Sequence, residues 1–217
     1  IKNAFQTNST CTSEKVQRMT DYKGVMTYCE ISEGKLPSIT HQALGFGRRL
    51  ADALGQELCA VLVGSGVGVC APEAIALGAD KVFVVDDPQL ASYQTDAYVS
   101  VMEKVVKEVM PRILIMGQTS VGRDLAPMLA FRLDTTATLD CVGLAIDPET
   151  KLLLRIKNVF GGNAQATFSS ESFPQIATVR VKVMSPLAPD TSKQGEVIPV
   201  DAGLDPSAIR TRLVKRV

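Results

Sequence analysis

The stretch RILIMGQTSVGRDLAPMLAFRL, residues 112–133, reads as a strand, a turn and a helix in immediate succession. RILIMG is an apolar run too short for a helix, and Gly117 closes it. The turn then offers Gly117, Thr119, Ser120 and Gly122, followed by Arg123. Small and hydroxyl-bearing residues of this kind, set before a helix, let backbone amides approach a phosphate. Pro127 donates no intrahelical hydrogen bond, so it fits the first turn, which places the helix start near residues 122–124. Asp124 would then sit in that turn and complement its positive end. Arg123 could pair with a phosphate or with a partner's carboxylate. The loop can hold an adenine nucleotide or cap itself, and on chemistry alone capping is favoured.

Working outward, the same grammar repeats. GVMTYCEIS is a first strand, and Ser38 is the expected N-cap of a helix carrying Ala43, Gly47, Leu50, Ala51 and Leu54 at helical spacing up to Gly55. ELCAVLVG, the short helix APEAIALG and KVFVVDD follow. Ala97, Val101, Met102, Val105, Val106 and Val109 mark another helix before Pro111, and TATLDCVGLAID comes after the opening unit as a fifth strand. Alternation of nearly continuous apolar strands with helices predicts an α/β fold: a mostly parallel sheet with helices on both faces. After Asp147 the extended segments LLLRIKNVF, NAQATFSS and QIATVRVKV predict an antiparallel β appendix over about 148–183, with Gly161, Gly162 and Asn163 as a positive-φ turn. Residues 1–23 read as a polar arm or linker and 24–183 as the domain. Residues 184–217, with Pro186, Pro189 and Pro199, read as an extended connector.

Among the 217 residues, 23 Lys and Arg balance 23 Asp and Glu, so there is no net field to attract nucleic acid or an anionic membrane. No apolar stretch nears the roughly 18 residues of a membrane span, and no signal peptide is recognisable. Five cysteines form no C-x-x-C pair. Cys29, Cys59 and Cys141 sit in strand-like runs, which predicts small buried hydrophobes in a reducing compartment and no metal site.

Other chemistry is weaker. Gly66-x-Gly68-x-x-Ala71, with Asp86 and Asp87 one strand later, is a variant dinucleotide fingerprint that would suit an NAD-linked dehydrogenase. Pro72, the short helix after it and its place on the second strand favour a plain glycine-rich connection. His41 is the single histidine and has no nucleophile elbow near it, so it reads as a surface or packing residue. Arg48 and Arg49 read as the solvated face of the first helix. No catalytic residue is predicted.

The segments YKGVMTYCEISEGKL, HQALGFGRRLADALG, LGADKVFVVDDPQLASYQTDAY, ILIMGQTSVGRDLAPMLAFRL, FGGNAQAT and PQIATVR, in this order, resemble the N-terminal domain of electron transfer flavoprotein α subunits. The polar arm before YKGV resembles α subunits with an extra, often ferredoxin-like, N-terminal segment. The resemblance implies an adenine-nucleotide α-hydrolase-like fold and an electron carrier made of α and β subunits. It also implies FAD in a separate C-terminal α domain, and AMP or a second FAD on β. Acyl-CoA-type dehydrogenases would be partners of the complete heterodimer, in a bacterial cytoplasm or a mitochondrial matrix, in settings such as fatty acid oxidation. The FAD-domain signature is not found in these 217 residues, so no cofactor is expected here. Loop 117–124 matches the nucleotide-binding place of the related β domain, one that α domains leave empty. Gly161, Gly162, Asn163, Arg155 and Arg180 match positions around the appendix for which the resemblance implies a role at the contact with β.

Overall fold

A computed structural model of the chain describes residues 21–205 and 209–211. The rest of the polar arm, with Cys11, and the basic end at 212–217 lie outside the described residues. Nine strands form one sheet. In chain order they are β1 (Val25–Cys29), β2 (Leu58–Gly64), β3 (Lys81–Asp86), β4 (Ile113–Gly117), β5 (Ala137–Ile146), β6 (Leu153–Val159), β7 (Ala164–Phe168), β8 (Gln175–Val179) and β9 (Glu196–Pro199). Helices α1 (Ser38–Leu54), α2 (Ala71–Ala76), α3 (Thr95–Val109) and α4 (Ser120–Arg132) connect the first five strands. The order across the sheet is β7-β6-β5-β8-β4-β1-β2-β3-β9. All pairings are parallel except β5 with β6 and β6 with β7.

The expected α/β architecture is present, and its apolar pattern explains it. Strands β1, β2, β4 and β8 are buried at every residue, so each must be covered on both faces. On one face, Ala43, Leu44, Leu50 and Ala51 of α1 join Ala71 and Ala74 of α2 over Val25, Leu58, Leu62 and Ile115. On the other, Val101, Met102 and Val105 of α3 and Leu125 and Leu129 of α4 cover Met26, Val61, Leu114 and Met116. Each fully buried Leu or Met contributes about 2 kcal/mol. Gly55 ends α1 in the left-handed conformation, at φ 62°. Pro37 occupies the N-cap position of α1, and Ser38 is its first helical residue, accepting a hydrogen bond from Gln42 instead of capping.

Two segments differ from the sequence reading. Gln175–Val179 was expected in the antiparallel appendix, but it is a parallel interior strand between β4 and β5. Every residue is buried, with Ala177 and Val179 packed on one face and Ile176 on the other, and only the middle of a sheet buries both. The antiparallel part is therefore β5-β6-β7. The connector also docks onto the domain, because its residues 196–199 add to the edge of β3. Pro199 is tolerated there because β9 is an edge strand. Arg48 is not on a solvated face. It pairs with Asp52 and Asp80, each at 2.8 Å, and Asp80 also holds Lys193 and the Leu58 amide. Arg49 is exposed and lies over the Phe46 ring. No helix among the described residues is long and apolar enough to cross a membrane.

Candidate functional site

Strand β1 has β2 on one side and β4 on the other, and the connections from the two leave on opposite faces. The carboxyl ends of β1 and β4 therefore flank the crevice where open α/β sheets bind ligands. The turn between β4 and α4, where the 117–124 loop begins, lies there.

Its geometry is that of a turn closed by its own groups. The helix begins at Ser120, with Thr119 as N-cap and its Oγ1 accepting from the Gly122 amide at 3.0 Å. The Arg123 amide bonds the Thr119 carbonyl at 3.0 Å. Thr119 Oγ1 in turn donates to Glu30 Oε1 at 2.5 Å, so a carboxylate from the end of β1 faces the positive end of α4. The Glu30 carbonyl accepts from Thr40 Oγ1. Burial raises the Glu30 carboxyl above the ordinary carboxylate range, and the Thr119 hydrogen bond offsets part of that. Two glycines permit the close fit. A Cβ on Gly122 would lie 1.9 Å from the Gly117 carbonyl oxygen, and one on Gly117 would lie 2.6 Å from Ile39 Cγ1.

The helix start expected near 122–124 is thus corrected to Ser120, and Pro127 is an interior residue of α4. Pro127 is exposed, as is Arg123 four residues before it, so water can hydrate the carbonyl that loses its amide partner. Asp124 is consequently not in the first turn. Its Oδ2 accepts from Tyr93 at 2.7 Å and Thr95 at 2.6 Å, tying α4 to the start of α3. Burial and Asp124 together push the Tyr93 hydroxyl well up.

The glycine fingerprint on the second strand is also self-contained. Asp86 accepts from the Gly66 amide at 2.7 Å and from the Gly68 amide at 3.4 Å. It answers its own loop, in the position where a dinucleotide fold would offer an acid to ribose. His41 Nε2 pairs with Glu73 at 3.0 Å.

Beyond the crevice, Arg180 follows β8 and grips Asp140 with two hydrogen bonds, Nε to Oδ1 at 2.9 Å and Nη2 to Oδ2 at 2.6 Å. Arg180 holds the Asp140 carboxyl below its ordinary range, with Lys157 and Arg123 adding to the effect. Asp140 takes φ 64° at the bulge in β5, where its amide bonds Thr178 Oγ1, and the Thr178 hydroxyl donates to Gln118. Arg155 lies in β6 and is buried. Gly161, Gly162 and Asn163 form an exposed turn with φ 68° and 97° at the glycines. The loop residues and the appendix residues therefore belong to different places, with Arg180 and Asp140 between them. Sequence reading missed Glu30 and Asp140. Each had a signal: Glu30 is the first acid after an apolar strand, and Asp140 interrupts another.

The electron transfer flavoprotein domain profile matches residues 25–204. The electron transfer flavoprotein subunit alpha of Thermoanaerobacterium thermosaccharolyticum is 42% identical over 90% of the chain, and that of Megasphaera elsdenii 38% identical over 92%. The acryloyl-CoA reductase electron transfer subunit beta of Anaerotignum propionicum is 33% identical over 90%. The chain spans 59%, 59% and 60% of the lengths of these relatives, respectively. With this coverage, and with the sheet and switch-point loop described above, the chain belongs to the electron transfer flavoprotein family and corresponds to the N-terminal part of its α subunits.

Proposed function

We propose that this chain is the scaffold domain of an electron transfer flavoprotein α subunit and has no catalytic residues of its own. It pairs with a β subunit through its open antiparallel half, including the turn at Gly161, Gly162 and Asn163. Residues 184–217 carry the chain on toward an FAD-binding domain, whose flavin exchanges electrons with dehydrogenases and downstream acceptors. Acyl-CoA-type dehydrogenases fit as partners, in line with the acryloyl-CoA reductase for which one relative is named an electron transfer subunit. The four described cysteines are free and buried, which suits a reducing compartment such as the cytoplasm.

The observation that carries the reading is the Glu30–Thr119–Gly122 chain. It places a carboxylate and a cap where a nucleotide phosphate would otherwise accept from the α4 terminus. A phosphate brought there would meet Glu30 at close range, and like charges at such distances repel. Loop 117–124 therefore serves as architecture, and the alternative of a free-standing adenine-nucleotide module is disfavoured. Co-expression with the β subunit should give a co-eluting complex, while calorimetry of the chain with AMP, ATP and FAD should show no heat of binding. Separate elution of the two subunits would overturn the scaffold reading. Micromolar AMP binding, abolished by Thr119→Val, would hand the loop back to a nucleotide.

A further inference from the structure

Two arginines in this sheet meet different surroundings. Arg180 closes the Nε–Nη2 edge of its guanidinium on the Asp140 carboxylate. Arg155 presents the same edge, but its Nε is buried without an acceptor. The sole hydrogen bond of Arg155 among the described residues is a 3.5 Å contact from Nη1 to the Ile176 carbonyl. The residue is only 2% exposed. A guanidinium stays protonated in such a place, and an unpaired buried cation is among the costliest features a fold can carry.

Arg155 has mixed surroundings, with Ala137, Leu139 and Phe168 among the polar groups. It lines a cavity of about 530 Å³ together with Thr136, Thr138, Lys157, Ser169 and Ser170. That volume is in the range of small-molecule sites. The lining includes two cations and four hydroxyls, and no carboxylate. Strand β5 diverges from β6 before Cys141, and the chain leaving β7 passes the other side, so the backbone itself builds the cleft.

We propose that this cavity is a carboxylate-binding site, in which the Arg155 guanidinium takes one carboxylate and Lys157 supplies a second positive charge. A planar two-oxygen acceptor suits a guanidinium, as Asp140 shows on Arg180. The carboxylate comes either from a free organic acid or from an Asp or Glu side chain of a polypeptide docked beside β7.

Thermal unfolding of the 217-residue chain in acetate or succinate, against chloride at matched ionic strength, tests the site directly. The midpoint should rise saturably by about 3 °C or more in either acid. In Arg155→Met the rise should vanish, while the midpoint in chloride equals or exceeds that of the wild type because an unpaired buried charge is gone. Lys157→Met, at a half-buried position, should weaken the response several-fold and keeps the test open if the buried variant does not fold. No rise over chloride in the wild type, or an undiminished rise in Arg155→Met, would overturn the site. A second arm repeats the titration with the β subunit bound and rests on the proposed function. A response lost in the complex assigns the carboxylate to the partner's side chain, and a response retained assigns it to a free acid.

Discussion

In the half of the sheet formed by β4, β1, β2 and β3, the carboxylates at the strand ends are answered from within the domain. Glu30 has Thr119, Asp86 has the Gly66 amide, and Asp80 has Arg48, Lys193 and the Leu58 amide. The antiparallel half, β5-β6-β7, is built otherwise. Its strands are largely half-buried or exposed, β7 is an open edge, Phe160 is 81% exposed and Arg155 lacks a carboxylate. The first half supplies the partners of these carboxylates itself. The second keeps apolar surface, an unpaired strand edge and a buried cation available, features that stabilise a protein only when something else supplies the missing partner. Side-chain supply therefore separates the two halves more sharply than strand direction does.

The same substitution should separate them experimentally. Gly122→Ala would drive a methyl group to 1.9 Å from the Gly117 carbonyl, a backbone atom that cannot step aside without moving β4 or α4. A loss of about 3 kcal/mol or more is expected in urea unfolding. Gly161→Ala meets nothing within 4 Å and pays only for its φ of 68°, about 1 kcal/mol. Equal costs at the two sites would break the comparison, because they would mean that the switch-point turn is packed no more tightly than the appendix turn.

Legibility in the sequence follows the same division. Strands β1, β2 and β4 could be read because burial on both faces writes itself as an unbroken apolar run, and the helices between them keep a clear period. Strand β8 was misplaced because its run, QIATV, states that both faces are buried but not which neighbours bury them. Sheet order is a non-local property. Pro127 misled because the rule against interior proline assumes that the orphaned carbonyl has nowhere to turn, and exposure of that face of α4 removes the assumption. The loop 117–124 was located by its composition. Its closure by Glu30 was not, since that pairing spans 89 residues. The burial of Arg155 was not legible, because arginine is usually exposed and its strand alternates too weakly to show an inward-facing position.

Within the covered half, Glu30 tests how fully charge is answered there. Burial raises its carboxyl in the folded state, so folding disfavours the ionised form. A raised carboxylate binds more protons folded than unfolded, so stability falls as pH rises from the unfolded value near 4.3 through the folded one, and then levels. Glu30→Gln removes that penalty while leaving an oxygen to accept from Thr119. The variant should be more stable than the wild type at pH 7, by up to about 1 kcal/mol, and the gain should shrink to nothing as the pH is lowered to 4. Urea midpoints of both proteins at the two pH values measure it. A gain independent of pH would mean that Glu30 is not held against its preference for water.

Phe160 gives the smallest expected effect on stability and the sharpest test of the open half. It precedes the Gly161–Gly162 turn at φ 50°, where a phenyl ring exposed to water contributes almost nothing to the folded domain. An aromatic side chain held in the open at the tip of a strand pair is the type of residue that anchors an interface. Phe160→Ser should therefore change the urea midpoint by no more than the equivalent of about 0.5 kcal/mol. The affinity for the β subunit, measured by titration calorimetry, should fall tenfold or more, because one buried aromatic anchor is worth at least about 1.4 kcal/mol. The two readouts part company only if the ring is unused in the domain and used in the complex. A variant that unfolds more easily would place Phe160 in the domain's own core. A variant that binds as tightly as the wild type would move the contact away from the turn and leave the open half without a partner at its tip.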